Sequence, residues 1–308
     1  MRVVVALGGN ALLERGERPD SDLQESHVVS AVDALKPLLD SHQLVITHGN
    51  GPQVGVLAVE SAGDPALTRP YPFDVLGAQT QGMIGYWLIQ ALQAAAPGQH
   101  AACLICRTVV RADDQAFGHP VKFVGPVYDK ATAVQLAADH GWDIRDDGTG
   151  WRRVVPSPEP AAVVELETIR LLMRQGMIVV CAGGGGVPVV SDGAGRLRGV
   201  EAVVDKDLTA ALLAQAVGAD ALLLLTDVEA VIDGYGTPGA RPIRRATTAE
   251  LRAMTFADGS MGPKVEAVCR FVEHTGAMAA IGRLDDAGAL LDGTAGTTIV
   301  PAEREGRT

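Results

Sequence analysis

The chain has 308 residues, of which 47% are apolar and only 4% aromatic, and this composition predicts a compact protein rather than a disordered chain. Its formal net charge of −11 argues against binding to nucleic acid or to an anionic membrane surface, because phosphates would repel it. The uncharged stretch 177–191 is short and contains four consecutive glycines, and the N-terminal apolar run lacks a signal-peptide cleavage site. We therefore expect a cytoplasmic protein without a membrane segment.

Apolar runs of strand length alternate with helical patterns along most of the chain, which predicts an α/β fold with a largely parallel sheet and helices on both faces. The predicted strands cover residues 2–7, 44–47, 101–110, 177–182, 221–225 and 278–281. Long helices are predicted over 74–96, over 165–175 and from Lys206 to about Val217.

Two further helices are predicted from their start signals. Ser21 and Gln24 fit a capping box ahead of a helical apolar pattern that Pro37 must kink or shorten. Thr247 and Glu250 fit a second capping box in the last third of the chain.

Residues 112–160 interrupt this alternation with segments rich in Asp, Gly, Pro and Trp, and we expect them to form an inserted lid. Lys122 lies on this insertion between prolines, where lid closure could carry it over a site, although an exposed hairpin lysine is the commoner case. We divide the chain into an N-terminal lobe, 1–217, which includes the insertion, and a C-terminal lobe, 218–308.

Three predicted strands end in glycine-rich loops, namely LGGNA at 7–11, THGNGPQVG at 47–55 and AGGGGVP at 182–188. Each loop precedes a helical pattern, so bare backbone N–H groups lie at helix N-termini, a geometry that suits phosphate. Loops at the carboxyl ends of parallel strands lie where open α/β sheets bind their ligands. The pattern therefore predicts a phosphate-handling site, although any one of these loops could be only a tight turn.

Two lysines are candidates for binding phosphate. Lys206 opens a predicted helix between Asp205 and Asp207, and the alternative is an ordinary solvated helix start. Lys264 follows Pro263, which suits the first position of a helix, and the nearby Gly259 and Gly262 leave room for an anion; the alternative is a lysine that reaches into solvent.

Other functional classes fit poorly. The chain has no G-x-x-x-x-G-K-[ST] motif, and its glycine clusters lack the spacing of a dinucleotide fingerprint. Cys103 and Cys106 lie within one predicted strand, where residues three apart face opposite ways, so buried thiols are expected rather than a metal site. DGSMG at 258–262 is one glycine short of a nucleophile elbow, which disfavours a serine hydrolase.

Seven segments occur in an order that resembles the carbamate kinase family, a branch of the amino acid kinase superfamily. They are ALGGNAL, THGNGPQVG, TQGMIGYWL, GWRRVVPSPEP, CAGGGGVPVV, GVEAVVDKDL and GSMGPKVEAV. The resemblance implies an open αβα sandwich, a homodimer, and phosphoryl transfer between carbamoyl phosphate and ADP with Mg²⁺ carried on the nucleotide.

The resemblance also implies roles for single residues. Lys206 and Lys264 would stabilise the transferring group, Asp207 would orient them, and Lys122 would come from the mobile insertion. The carbamoyl-phosphate side would comprise Gly8, Gly9, Asn10, Gly49, Asn50 and Gly51. The nucleotide side would comprise Lys206, Thr226, Asp227, Val228, Tyr235, Met261, Gly262 and Lys264.

These observations favour reversible phosphoryl transfer between ATP and carbamate. One alternative is another acid kinase of the superfamily, such as one acting on N-acetylglutamate. A second alternative is a catalytically silent nucleotide-binding subunit, although both lysines are retained.

Overall fold

The structure is a computed structural model that describes residues 1–14, 16–256 and 261–302, while the side chain of Asn10 lies outside what it describes. The strands are β1 (Arg2–Leu7), β2 (Gln43–His48), β3 (Ala101–Cys103), β4 (Arg107–Val110), β5 (Lys122–Tyr128), β6 (Asp143–Asp146), β7 (Trp151–Val155), β8 (Pro160–Val163), β9 (Ile178–Val180), β10 (Val187–Ser191), β11 (Leu197–Gly199), β12 (Ala221–Thr226), β13 (Val231–Asp233), β14 (Arg241–Ile243), β15 (Arg245–Thr247), β16 (Met278–Arg283) and β17 (Thr297–Val300). The helices are α1 (Ser21–Leu39), α2 (Gly51–Gly63), α3 (Phe73–Ala95), α4 (Lys130–His140), α5 (Leu166–Arg174), α6 (Lys206–Val217), α7 (Thr248–Arg252), α8 (Met261–Thr275) and α9 (Ala287–Leu291).

Eight strands form the central sheet, in the order β15-β17-β16-β12-β1-β2-β9-β3. All neighbouring pairs are parallel except β16 with β17. Its central strands are apolar at nearly every position because helices cover both faces of the sheet. The predicted α/β sandwich around a largely parallel sheet is confirmed.

Alternate residues of β1 pack into two separate hydrophobic cores, because successive side chains of a strand point to opposite faces of the sheet. Val3, Val5 and Leu7 pack with α1, α3 and α9 on one face. Val4 and Ala6 pack with α5, α6 and α8 on the other face. The carboxyl ends of β1 and β2, with their glycine-rich loops, therefore lie at one edge of a rigid central sheet.

The single strand predicted over 101–110 is wrong. β3 belongs to the central sheet, whereas β4 belongs to a second sheet with the order β11-β10-β4-β8. The break occurs because Gln81 on α3 binds the backbone of Cys106 on both sides, accepting from its N–H at 2.9 Å and donating to its carbonyl at 3.1 Å. We expected both thiols to be buried. Cys106 is fully buried, whereas Cys103 is partly buried.

The structure also decides between helix-start signals. Thr247 and Glu250 form the predicted capping box at α7. The box predicted for Ser21 and Gln24 is wrong, because Asp20 precedes α1 and Gln24 is buried with its amide nitrogen 2.7 Å from the carbonyl oxygen of Pro19.

Two prolines lie inside helices. Pro37 lies inside the last turn of α1, which ends two residues later at Leu39. Pro263 is the third residue of α8 rather than the first, so Lys264 still lies in the first turn of that helix.

The segment predicted as an insertion contains its own three-stranded sheet, β5-β7-β6, which packs with α4. Arg153 of β7 docks this sheet onto the core, since its guanidinium carbon lies 4.7 Å from the ring centroids of both Phe73 and Trp142. The same guanidinium donates to Glu201 at 3.0 Å. Burial lowers the pKa of Arg153, while Glu201 opposes that shift.

The proposed division near residue 218 stays a prediction, and one sheet crosses it, since β1 pairs with β12. None of the helices in the described ranges is long and apolar enough to cross a membrane.

Candidate active site

The first element of the candidate site is a pair of lysines that share one carboxylate. Lys206 is the first residue of α6, and its ammonium nitrogen lies 2.5 Å from Oδ1 of Asp207. Lys264, in the first turn of α8, places its ammonium nitrogen 3.2 Å from Oδ2 of the same carboxylate. The structure thus brings together two cations that lie 58 positions apart, because α6 and α8 pack side by side.

Burial governs the electrostatics of this trio. Burial disfavours the charged form of Asp207, but Lys206 and Lys264 outweigh it and lower its pKa to about 2. Burial lowers the pKa of Lys206, Asp207 opposes that shift, and Lys264 adds to it. The carboxylate is therefore ionised at neutral pH, and two ammonium groups share a single negative charge, which leaves net positive charge for an anion.

A third lysine joins the cluster from the insertion. Lys122, at the start of β5, places its ammonium nitrogen 2.8 Å from Oδ2 of Asp205. Oδ1 of the same side chain caps α6, accepting from the N–H groups of Asp207 at 2.9 Å and Leu208 at 3.3 Å. Asp205 was not predicted as a site residue, although an Asp directly before a helix is a recognisable N-cap signal.

The glycine-rich loops border the lysines. The N–H of Gly49 donates to the carbonyl of Leu7 at 3.0 Å, which extends the pairing of β1 and β2 into the loops. A Cβ added at Gly49 would lie 3.0 Å from the nitrogen of Gly9 and 3.5 Å from Cδ of Lys206. Such close approach requires glycine, and it places the second loop between the first loop and the stem of Lys206.

The third loop supports the second. Gly184 has a φ of +63°, and a Cβ there would collide with the side-chain amide of Asn50. The AGGGGVP loop thus packs its bare backbone against Asn50, at the start of α2. Gly51 is the first residue of that helix, whose first N–H groups have no partner within the helix.

His48, the last residue of β2, is a residue that the sequence analysis missed. It is buried, and its Nδ1 lies 2.8 Å from the carbonyl oxygen of Gly49, so Nδ1 carries the proton. Burial lowers its pKa to about 4, the bond to Gly49 opposes this, and Lys206 adds to it. Its position within THGNG was the available signal, because the ring of a histidine next to a binding loop can hold that loop's backbone.

The residues predicted for the nucleotide side are spread more widely. Gly8 donates its N–H to the carbonyl of Leu225 at 2.9 Å, so Thr226, the last residue of β12, adjoins the first loop. Tyr235 lies between β13 and β14 with 81% of its surface exposed. Asp227 and Val228 follow β12, and Met261 and Gly262 begin α8. Gly259 lies outside the described residues. Within the described part of the chain, Tyr235 makes no hydrogen bond or ion pair to the lysine cluster.

The chain is similar to known kinases over nearly its whole length. Residues 1–282 match the amino acid kinase family. The chain is 50% identical over 297 residues to a carbamate kinase of Escherichia coli, an alignment that covers 96% of this chain and 98% of that protein. A solved carbamate kinase of Giardia lamblia bound to citric acid has a TM-score of 0.92 at 36% identity, and the same enzyme bound to AMP-PNP has 0.88 at 38%, each covering 98% of both chains.

The match over residues 1–282 shows that the chain belongs to the amino acid kinase family. Its similarity over nearly the full length to the enzymes just described places it in the carbamate kinase branch of that family. The family predicted from the seven sequence segments is thereby confirmed.

Proposed function

We propose that this protein transfers a phosphoryl group reversibly between ATP and carbamate, so that carbamoyl phosphate and ADP give ATP and carbamate. The observation that carries the proposal is the pair Lys206 and Lys264 on the two oxygens of Asp207, bordered by the glycine-rich loops. Carbamate released in the ATP-forming direction decomposes to ammonia and CO₂.

The proposed reaction requires no covalent intermediate with the protein. In the ATP-forming direction an oxygen of the ADP β-phosphate attacks phosphorus, and the bond from phosphorus to the carbamate oxygen breaks in line with it. The leaving carbamate is stable as an anion, so no general acid has to protonate it. Lys206, Lys264 and loop N–H groups stabilise the charge on the three equatorial oxygens, and Asp207 holds both ammonium groups in place.

The family resemblance divides the proposed site into two sub-sites. The carbamoyl-phosphate side is assigned to Gly8, Gly9, Asn10, Gly49, Asn50 and Gly51, with Lys122 brought by the insertion. The nucleotide side is assigned to Lys206, Thr226, Asp227, Val228, Tyr235, Met261, Gly262 and Lys264. Support comes from the close approach of Gly49 to Gly9 and to the stem of Lys206, the bond of Gly8 to the end of β12, and the ion pair of Lys122 with Asp205.

Mg²⁺ would arrive on the nucleotide. Within the described residues no three acidic, histidine or cysteine side chains are grouped to hold a metal, and Asp205 and Asp207 are both paired with lysine. Mg²⁺ commonly keeps several waters and binds through substrate phosphates, so this arrangement fits a nucleotide-borne ion. Its chemistry would be to neutralise charge on the nucleotide phosphates.

We further assign the protein a homodimeric state and a cytoplasmic location, because both properties accompany the proposed reaction in the family that the sequence resembles. Residues 112–160 act in this proposal as the lid of the N-terminal lobe, 1–217, and residues 218–308 form the nucleotide lobe.

A coupled assay tests the reaction. The protein is incubated with ADP, Mg²⁺ and carbamoyl phosphate, and ATP is measured by hexokinase and glucose-6-phosphate dehydrogenase. Prompt ATP formation supports the proposal. No ATP from carbamoyl phosphate, together with phosphorylation of N-acetylglutamate by ATP, would replace it with the other acid kinase activity. No turnover of either substrate, with nucleotide binding retained, would indicate a silent subunit.

A further inference from the structure

Asn50 occupies a helix start without performing the usual task of an asparagine there. An Asn at the N-cap normally accepts a hydrogen bond from the second or third backbone N–H of the helix through its side-chain oxygen. At α2 this bond is absent, and Pro52, the second helical residue, has no N–H to offer. The side-chain amide of Asn50 is therefore directed elsewhere, although only 6% of the residue is exposed.

Thr80, fully buried on α3, determines which way this amide points. Its hydroxyl lies 2.8 Å from the carbonyl oxygen of Gly77, to which it must donate because a carbonyl oxygen only accepts. A hydroxyl has one hydrogen, so toward Asn50 the Thr80 oxygen can only accept. The amide atom at 2.9 Å from it is consequently the nitrogen, Nδ2. With the amide turned over, one of the two hydrogen bonds of Thr80 would be lost.

This bond leaves the side-chain oxygen of Asn50 as the amide atom available to a ligand. The amide lies flat against Gly184 on one side, and the neighbouring Gly49 packs on Gly9 and on the stem of Lys206. An acceptor oxygen at this point of the loop cluster suits a substrate that carries an N–H donor next to its phosphate. Carbamoyl phosphate carries such an amino group, whereas acetyl phosphate has a methyl group in its place.

We propose that Thr80 is a positioning residue that fixes the Asn50 amide with its oxygen toward the carbamoyl amino group, and thereby selects an amino-bearing acyl phosphate. The inference rests on the proposed function. Thr80 itself touches no substrate and acts only through Asn50.

The experiment compares wild type with Thr80→Val, which replaces the hydroxyl by a methyl group of similar size, and with Thr80→Ser, which keeps the hydroxyl. For each protein we would measure kcat and KM for carbamoyl phosphate, KM for ADP, and Ki of acetyl phosphate as a competitor of carbamoyl phosphate. We expect Thr80→Val to lower kcat/KM for carbamoyl phosphate about tenfold, as for loss of one neutral hydrogen bond. KM for ADP and Ki for acetyl phosphate should stay within about twofold, and Thr80→Ser should restore the wild-type values.

The outcomes separate this inference from the proposed function. If wild type forms ATP from carbamoyl phosphate but Thr80→Val matches it, or weakens carbamoyl phosphate, acetyl phosphate and ADP by one common factor, Thr80 has no selective role. If wild type forms no ATP from carbamoyl phosphate, the proposed function itself fails. Should Thr80→Val not fold, Thr80→Ala removes the same hydroxyl without adding bulk, and the same comparison applies to it.

Discussion

The ammonium nitrogen of Lys122 lies 2.8 Å from Oδ2 of Asp205, although the two residues are 83 positions apart and Lys122 belongs to the inserted sheet. The other oxygen of Asp205 caps α6, the helix that begins with Lys206. One carboxylate thus ties the inserted sheet to the helix start that carries the central lysine, and the two tasks can be separated by mutation.

Asp205→Ser keeps a capping oxygen but removes the partner of Lys122. We expect it to lower kcat/KM for carbamoyl phosphate about tenfold, with a melting temperature close to wild type, since Ser is a favoured N-cap. Asp205→Ala should show the same kinetic loss and also lose about 1 kcal/mol of stability with the cap. Asp192→Ser, which breaks an ion pair with Arg196 in the turn between β10 and β11, is the matched control. Full activity in Asp205→Ser would show that the contact with Lys122 is dispensable.

His48 predicts a specific dependence of stability on pH. Its pKa falls from 6.5 to about 4 on folding, so the unfolded chain binds more protons between these values and stability decreases as the pH falls through that window. The loss amounts to about 3 kcal/mol between pH 7 and pH 4. His48→Asn keeps a side-chain N–H donor for the Gly49 carbonyl but does not titrate, so the variant should lack this part of the acid destabilisation.

Urea unfolding of both proteins at pH 7 and pH 4 measures that difference. The His48→Asn variant must first retain its carbamoyl-phosphate KM at pH 7, which checks that the loop keeps its conformation. An equal loss of stability in wild type and variant would contradict the neutral, buried state of His48.

Arg153 is expected to control how firmly the inserted sheet docks. Its guanidinium contacts the rings of Phe73 and Trp142 and donates to Glu201, contacts that Lys cannot reproduce in planar geometry. Arg153→Lys should raise KM for carbamoyl phosphate several-fold and speed proteolysis within residues 112–160, while KM for ADP stays near wild type. Arg145→Lys on the exposed side of β6 serves as the control. If Arg153→Lys leaves both proteolysis and KM unchanged, this docking contact does not hold the insertion in place.

The sequence predicted those parts of the site that depend on short segments. Glycines after β1 and β2 are visible in the sequence because backbone approach and helix starts are local properties, and Lys206 and Lys264 are visible because each lies in the first turn of a helix. The meeting of these lysines on Asp207 could not be read from local sequence, since it depends on how α6 packs on α8.

The wrong predictions also arise from contacts between elements that are distant in the sequence. The strand predicted over 101–110 divides because Gln81, 25 positions before Cys106, takes over its backbone hydrogen bonds. Gln24 fitted a capping box by spacing, yet its side-chain oxygen accepts from Gln53 at 2.8 Å, a partner on another helix. Buried polar side chains that bond across elements leave no periodic signal, so Thr80 and Gln81 were overlooked for the same reason.

The proposed reaction depends above all on Lys206, which would stabilise the phosphoryl group in transit. The measurement is kcat for ATP formation from carbamoyl phosphate and Mg-ADP by Lys206→Ala, beside Lys36→Ala, which removes an exposed lysine of α1 that is paired with Asp33. We predict that Lys206→Ala lowers kcat by roughly a hundredfold or more, about 3 kcal/mol, as for loss of a preorganised charge donor, and that Lys36→Ala matches wild type. A Lys206→Ala enzyme that turns over at nearly the wild-type rate would contradict this role of Lys206.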